Sequence, residues 1–203
     1  MLSINEISER ILNFVQRYDR DSFEQDDYSR AWLRYGIEIT LSSILNILII
    51  FILSIVFSDV IEGLVFLATF ISIRQFTGGF HASSYLKCNV TFAACYATVI
   101  YVYHFLNEVF IFNIQIILLA ICVAIISFVC PIENPHKPIT NKDQFIKCKI
   151  TSIVMFLMWG IIGLFLIKSG CELGKVILIT LQLIVLLCLI SIILERRRLN
   201  EGS

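Results

Sequence analysis

IEITLSSILNILIIFILSIVF, Ile37 to Phe57, contains a single charged residue, Glu38. A helix on a soluble core keeps a polar face, whereas a run of about 18 or more apolar residues fits the hydrocarbon of a bilayer. Trp32 and Tyr35 stand just ahead of it, aromatics of the kind that settle at the membrane boundary. Further apolar runs extend from Asp59 to Ile73, Val90 to Phe105, Val109 to Phe128, Ile150 to Ile167 and Val176 to Leu194. The pattern predicts an all-α polytopic membrane protein with about six transmembrane helices.

Composition agrees. The chain has 203 residues, 58% hydrophobic and 16% charged, with a mean hydropathy of +0.84. Soluble domains are roughly 45–50% apolar, and no ordinary soluble fold of this length could bury the excess. The 16 basic and 16 acidic residues cancel, so no global field points to a nucleic-acid partner. The N-terminus has no basic region leading into a lone apolar run, and no removable signal peptide is expected. Seven cysteines, odd in number and without CxxC spacing, argue against a disulfide framework; in apolar runs a free thiol behaves as a small hydrophobe.

Residues 1–36 form a polar preface. Ser3 and Glu6 make a capping-box pattern, and Ile4, Ile7, Ile11, Val15 and Tyr18 recur at helical spacing. This predicts an amphipathic helix that packs on the rest of the protein, lies in the lipid interface or docks a partner helix. Three segments follow from the pattern: 1–36 cytosolic or interfacial, 37–194 transmembrane, and 195–203 a basic cytosolic tail. The three prolines, Pro131, Pro135 and Pro138, interrupt the chain between the fourth and fifth spans.

Alternating the spans puts fourteen Lys and Arg residues on one side, including Arg10, Arg74, Lys87, Lys137, Lys142 and Arg196 to Arg198. Lys168 and Lys175 alone fall opposite. By the positive-inside rule both termini face the cytosol, as do the segments around His81 and Pro135.

Chemistry concentrates in IRQFTGGFHASSYLKC, Ile73 to Cys88. Polar groups at membrane depth are costly, so they read as functional by default. The run ending at Ile73 makes a helix of only about 21 Å, which must tilt little, thin the bilayer or continue into Arg74 to Phe80. His81 and Cys88 can serve as base and nucleophile, the histidine taking the thiol proton and later protonating a leaving amine. Apolar burial disfavours the thiolate; Arg74, Lys87 and a protonated His81 favour it. Residues seven apart on an unbroken helix lie about 10.5 Å apart along its axis, so a working pair needs a turn between Ala82 and Lys87. Gly78 and Gly79 supply a flexible entry whose N–H groups can bind an oxyanion. The bland alternative makes Cys88 a buried thiol and His81 an interfacial ring. A metal site on His81, Cys88 and Cys95 is disfavoured for want of a fourth ligand, and no metal or other cofactor is expected. Glu38, Glu133 and Asp143 are all open as groups that could orient the histidine.

The string RQFTGGFHASSYLKC, followed by a span and then PIENPHKPI, resembles the accessory gene regulator B (AgrB) family over nearly the whole chain. That resemblance implies a bacterial membrane cysteine endopeptidase that processes the precursor of a cyclic quorum-sensing peptide. It matches the nucleophile to Cys88 and the base to His81, and the upstream arginine and glycine, which would support the thiolate or oxyanion, to Arg74 and Gly79. Lys137 and Lys142 correspond to basic residues of a substrate-contacting loop. The implied partners are an autoinducing-peptide precursor, the lipid bilayer and a second copy of the chain in a homodimer. Two rivals remain from the residues: a small permease or assembly subunit with a re-entrant lining, and a membrane acyltransferase using the same Cys–His pair.

Overall fold

The computed structural model describes residues 4–18, 27–77, 85–105, 112–132 and 142–201. Among these residues there are seven helices: α1 (Ile4–Tyr18), α2 (Asp27–Val56), α3 (Val60–Thr77), α4 (Tyr85–Phe105), α5 (Phe112–Val129), α6 (Lys142–Lys168) and α7 (Leu173–Glu201). In hydrocarbon each backbone N–H and C=O must be paired within the protein, and a helix pairs nearly all of its own. The protein is an all-α polytopic membrane protein.

Five described helices are long and apolar enough to cross a membrane: α3, α5 and α6 entire, Gly36–Val56 of α2 and Leu173–Leu194 of α7. The remaining expected span is α4, equally long but more polar, since Lys87, Asn89, Tyr96, Tyr103 and His104 interrupt its apolar residues. Helix α3 continues beyond Ile73 to Thr77, a length of about 27 Å at 1.5 Å per residue. Of the three ways to accommodate a short second span, the chain takes the one that draws Arg74 into the helix.

Helix α7 is the centre of the bundle and packs against α3, α4, α5 and α6. Its residues Val176 to Leu181, Ile184, Val185 and Cys188 are all buried. Helix α2 lies at the periphery against α1, α3 and α4, and Ile44, Leu48, Ile52 and Val56 remain exposed on it, as a lipid-facing surface requires. Side-chain hydrogen bonds tie the helices across the bundle: Trp159 Nε1 donates to Ser72 Oγ at 2.7 Å, and Gln182 Nε2 to Gln115 Oε1 at 2.8 Å. Phe66, Phe70, Phe92 and Tyr96 form an aromatic seam between α3 and α4, with centroid separations of 5.0 to 5.6 Å.

Tight turns close two of the hairpins. After α2, Ser58 adopts φ 62, Asp59 N donates to Ser54 O and Ser58 N to Ile55 O, which satisfies carbonyls left over at the helix end. After α6 the same pair of bonds runs from Cys171 and Gly170 to Leu166 and Ile167, with Gly170 at φ 79. His104, at the end of α4, meets Asp59 on the first of these turns at 2.9 Å.

The amphipathic preface is α1, and it packs on α2. Ser8 Oγ donates to Glu38 at 3.2 Å, and Arg34 pairs with both Glu9 and Glu38. Ser8 and Leu12 are buried there while Phe14 is exposed. The buried face thus centres on a serine that apolar periodicity passes over. Helix α2 runs unbroken from Asp27 into the apolar segment that begins at Gly36.

Candidate functional site

Arg74 sits one turn before the end of α3, and Cys88 lies in the first turn of α4. Residues 78–84 join the two helices, so both side chains belong to the same end of the bundle. They line one cavity of about 270 Å³ between α2, α3, α4 and α7. Phe70, Ile71, Phe92 and Leu187 supply most of its apolar wall. Its polar wall is made by Arg74 and Gln75 from α3, Ser43 and Asn46 from α2, and Thr91 with the thiols Cys88 and Cys95 from α4.

The cavity exists because polar residues on α2 face polar residues on α4. Ser42 and Asn46 are four residues apart and Ser43 and Asn46 three, so all three share one face of α2. Ser42 Oγ donates to Asn89 Oδ1 at 3.1 Å, a bond buried between the helices and adjacent in sequence to Cys88. It ties α4 to α2 one residue from Cys88. A guanidinium in a low-dielectric recess exerts a larger field than it would in water, and that field opposes the desolvation of a half-buried thiol. The arrangement brings together a thiol, a cation and a largely apolar, half-open recess.

Of the residues singled out in the sequence, the structure thus unites Cys88 and Arg74. Gly79, His81 and Lys137 lie outside the described residues, as do Glu133 and the serines Ser83 and Ser84. Lys142 opens α6 and is exposed, with Asp143 exposed beside it. The backbone N–H of Ile132 donates to Thr77 O at 3.0 Å, which ties the start of the Pro/Lys loop to the last residue of α3. Glu38 is engaged by Ser8 and Arg34 at the junction of α1 and α2. No group of three His, Cys, Asp or Glu placed to hold a metal occurs among the described residues. Cys188, next to the cavity residue Leu187 on α7, is buried in contact with Cys130, their sulfurs 4.0 Å apart.

Sequence reasoning passed over Ser42, Ser43, Asn46, Gln75 and Asn89. Their signal was present, because a polar side chain within an apolar span needs a partner or a purpose.

The sequence pattern of the family described as Accessory gene regulator B matches residues 8–195. The chain belongs to the AgrB family. It is 26% identical over 187 residues to an AgrB-like protein of Lactiplantibacillus plantarum, covering 90% of this chain and 88% of that one. It is 22% identical over 182 residues to an AgrB-like protein 2 of Clostridium perfringens, covering 85% of each. To Protein FsrB of Enterococcus faecalis it is 22% identical over 166 residues, covering 72% of this chain and 69% of that one. No solved structure matches the chain at a significant level.

Proposed function

We propose that this AgrB family protein is a membrane cysteine endopeptidase that removes the C-terminal tail of a small quorum-sensing peptide precursor. Membership of the family supports a role in processing such a precursor. The observation that carries the mechanism is that Cys88 and Arg74, from different helices, line one largely apolar cavity at the end of the bundle where residues 78–84 join α3 to α4.

In this reading His81 takes the thiol proton and the Cys88 sulfur attacks the scissile carbonyl. The resulting oxyanion is stabilised by the Arg74 charge and by backbone N–H groups at Gly79. Collapse breaks the C–N bond, His81 returns its proton to the departing amine, and the acyl part of the substrate stays on Cys88 as a thioester. A thiol or hydroxyl within that acyl part then attacks the thioester, regenerating Cys88 and releasing a thiolactone or lactone. Intramolecular attack outcompetes water because its effective molarity is high. A thioester lies above the amide it replaces, so turnover is drawn forward by removal of the tail or export of the ring.

The distribution of basic residues supports an orientation in which both termini, the Cys88 cavity and the Pro/Lys loop face the cytosol of a bacterial cell, and in this reading Lys137 and Lys142 bind the substrate tail. Residues 37–194 carry the peptidase, 1–36 an interfacial cytosolic segment and 195–203 a basic tail; the active form is a homodimer. Co-expression of the precursor with wild type or Cys88→Ala tests the assignment. Wild type should release the tail and the inserted variant should not, whereas cleavage by Cys88→Ala would remove the peptidase reading.

A further inference from the structure

The cavity beside Cys88 has two levels. Helices α3 and α4 are consecutive spans, so they run in opposite directions, with Arg74 and Cys88 at the same end. Phe70 precedes Arg74 by four residues and Phe92 follows Cys88 by four, so each lies one turn deeper, about 6 Å, on the face of its own helix that lines the cavity. The two rings meet edge to face at that level, with centroids 5.0 Å apart. Leu187 adds a third apolar wall from α7. Phe92 and Leu187 are half-buried, so both keep accessible surface.

This recess has the size and shape for a side chain. A cavity of about 150 Å³ lined by Leu, Ile and Phe admits benzene, so one of about 270 Å³ has room for an aromatic ring or a branched aliphatic group. Being half open, it can take a side chain while the backbone that carries it stays at the level of the thiol. A charged side chain would exchange water for apolar walls at a high cost. Two substrate residues adjoin the carbonyl that Cys88 attacks, one on each side of the cut. The residue after the cut departs with the tail, and a pocket that held it would slow release. The residue that owns the carbonyl stays bound to the sulfur until the ring closes, and its side chain is the one that benefits from a seat beside the thiol.

We infer that Phe70, Phe92 and Leu187 form the specificity pocket of the enzyme, receiving a large apolar side chain from the substrate residue whose carbonyl Cys88 attacks. This rests on the peptidase reading.

The test uses the full chain in nanodiscs and a synthetic peptide spanning the cleavage site that wild type cuts, with the residue before the cut set to alanine, leucine or phenylalanine. One methylene in an apolar pocket discriminates by about ten- to two-hundredfold, so wild type should favour leucine or phenylalanine over alanine by at least about tenfold in kcat/KM. Leu187→Trp fills the recess and should bring that ratio to about one. A loss common to all peptides cancels in the ratio. The same series in the residue after the cut should give ratios that Leu187→Trp leaves unchanged. No preference in wild type, an unchanged ratio before the cut in Leu187→Trp, or a changed ratio after it would overturn the pocket. A second readout needs no turnover: a peptide with photo-leucine before the cut, irradiated on Cys88→Ala protein, should label Phe70, Phe92 or Leu187, and labelling confined to other residues would also overturn it. Cleavage of the leucine peptide by Cys88→Ala would instead remove the peptidase reading, so the two failures are separate.

Discussion

The hydrogen bond from Ser42 to Asn89 is the contact through which the bundle should control Cys88. Ser42→Ala removes the donor and leaves the Asn89 carbonyl without its bond at 3.1 Å, in a place where both residues are buried. Hydrogen bonds between membrane helices average about 0.6 kcal/mol and reach about 1.7, because the separated helices also find partners in the membrane. The stability loss should therefore be about 1 kcal/mol. That is too little to unfold a bundle whose central helix α7 contacts four others. If Cys88 is the nucleophile as proposed, the activity loss should be larger, since Asn89 adjoins it and a misplacement of about 1 Å can cost on the order of a hundredfold in rate. The assay is tail release by purified protein in nanodiscs, with kcat and KM separated, beside thermal unfolding of the same samples. Ser42→Ala and Asn89→Ala should each lower kcat by tenfold or more with a small change in KM. The exchange Ser42→Asn with Asn89→Ser rebuilds the bond in the opposite sense, and it should recover most of the lost kcat. Single variants with wild-type kcat would refute the idea that this bond orients Cys88. An exchange variant no better than the singles would do the same.

Other consequences concern packing, the N-terminal helix and topology. A Cβ on Gly174 would lie 2.4 Å from Gly163 O, so Gly174→Ala must part α6 from α7 and should destabilise by about 1–3 kcal/mol or more, whereas Gly36→Ala meets nothing within 4 Å and should be neutral or stabilising by up to about 1 kcal/mol; equal thermal midpoints for the two would contradict the close approach. Ile7→Asp with Ile11→Asp should detach α1 from α2 and reduce cleavage with little loss of membrane-bound protein, and unchanged cleavage kinetics would make α1 dispensable. Single-cysteine variants at positions 2, 140 and 200 should resist an impermeant thiol reagent in intact cells while position 172 labels; labelling of position 140 from outside would reverse the orientation.

The spans were legible because lipid tolerates only long apolar stretches, so the signal lies in length and needs no periodicity. For the same reason the arrangement of the spans was not legible. Lipid and protein core are equally apolar, and nothing in Val176 to Cys188 marks α7 as central or Ile44 to Val56 of α2 as peripheral. Arg74 and Cys88 stood out because a charge and a thiol flank a glycine-rich break between two spans. Ser42, Asn46 and Asn89 did not, since averaging over a span submerges one amide or hydroxyl among many aliphatic neighbours, and only tertiary packing shows that those of α2 face those of α4. Ser8 was missed on α1 because a buried serine bonded to Glu38 breaks the apolar period that announces the helix.

The central claim is that Cys88 carries the acyl group, and a substrate deprived of its internal nucleophile tests it most directly. When the cysteine or serine that would close the ring is replaced by alanine, only water can discharge the thioester, and slowly in a largely apolar cavity. Intact-mass analysis should then find a peptide adduct on the protein that is absent from Cys88→Ala and discharged by neutral hydroxylamine. Rapid tail release with no adduct at any time would contradict Cys88 as the nucleophile.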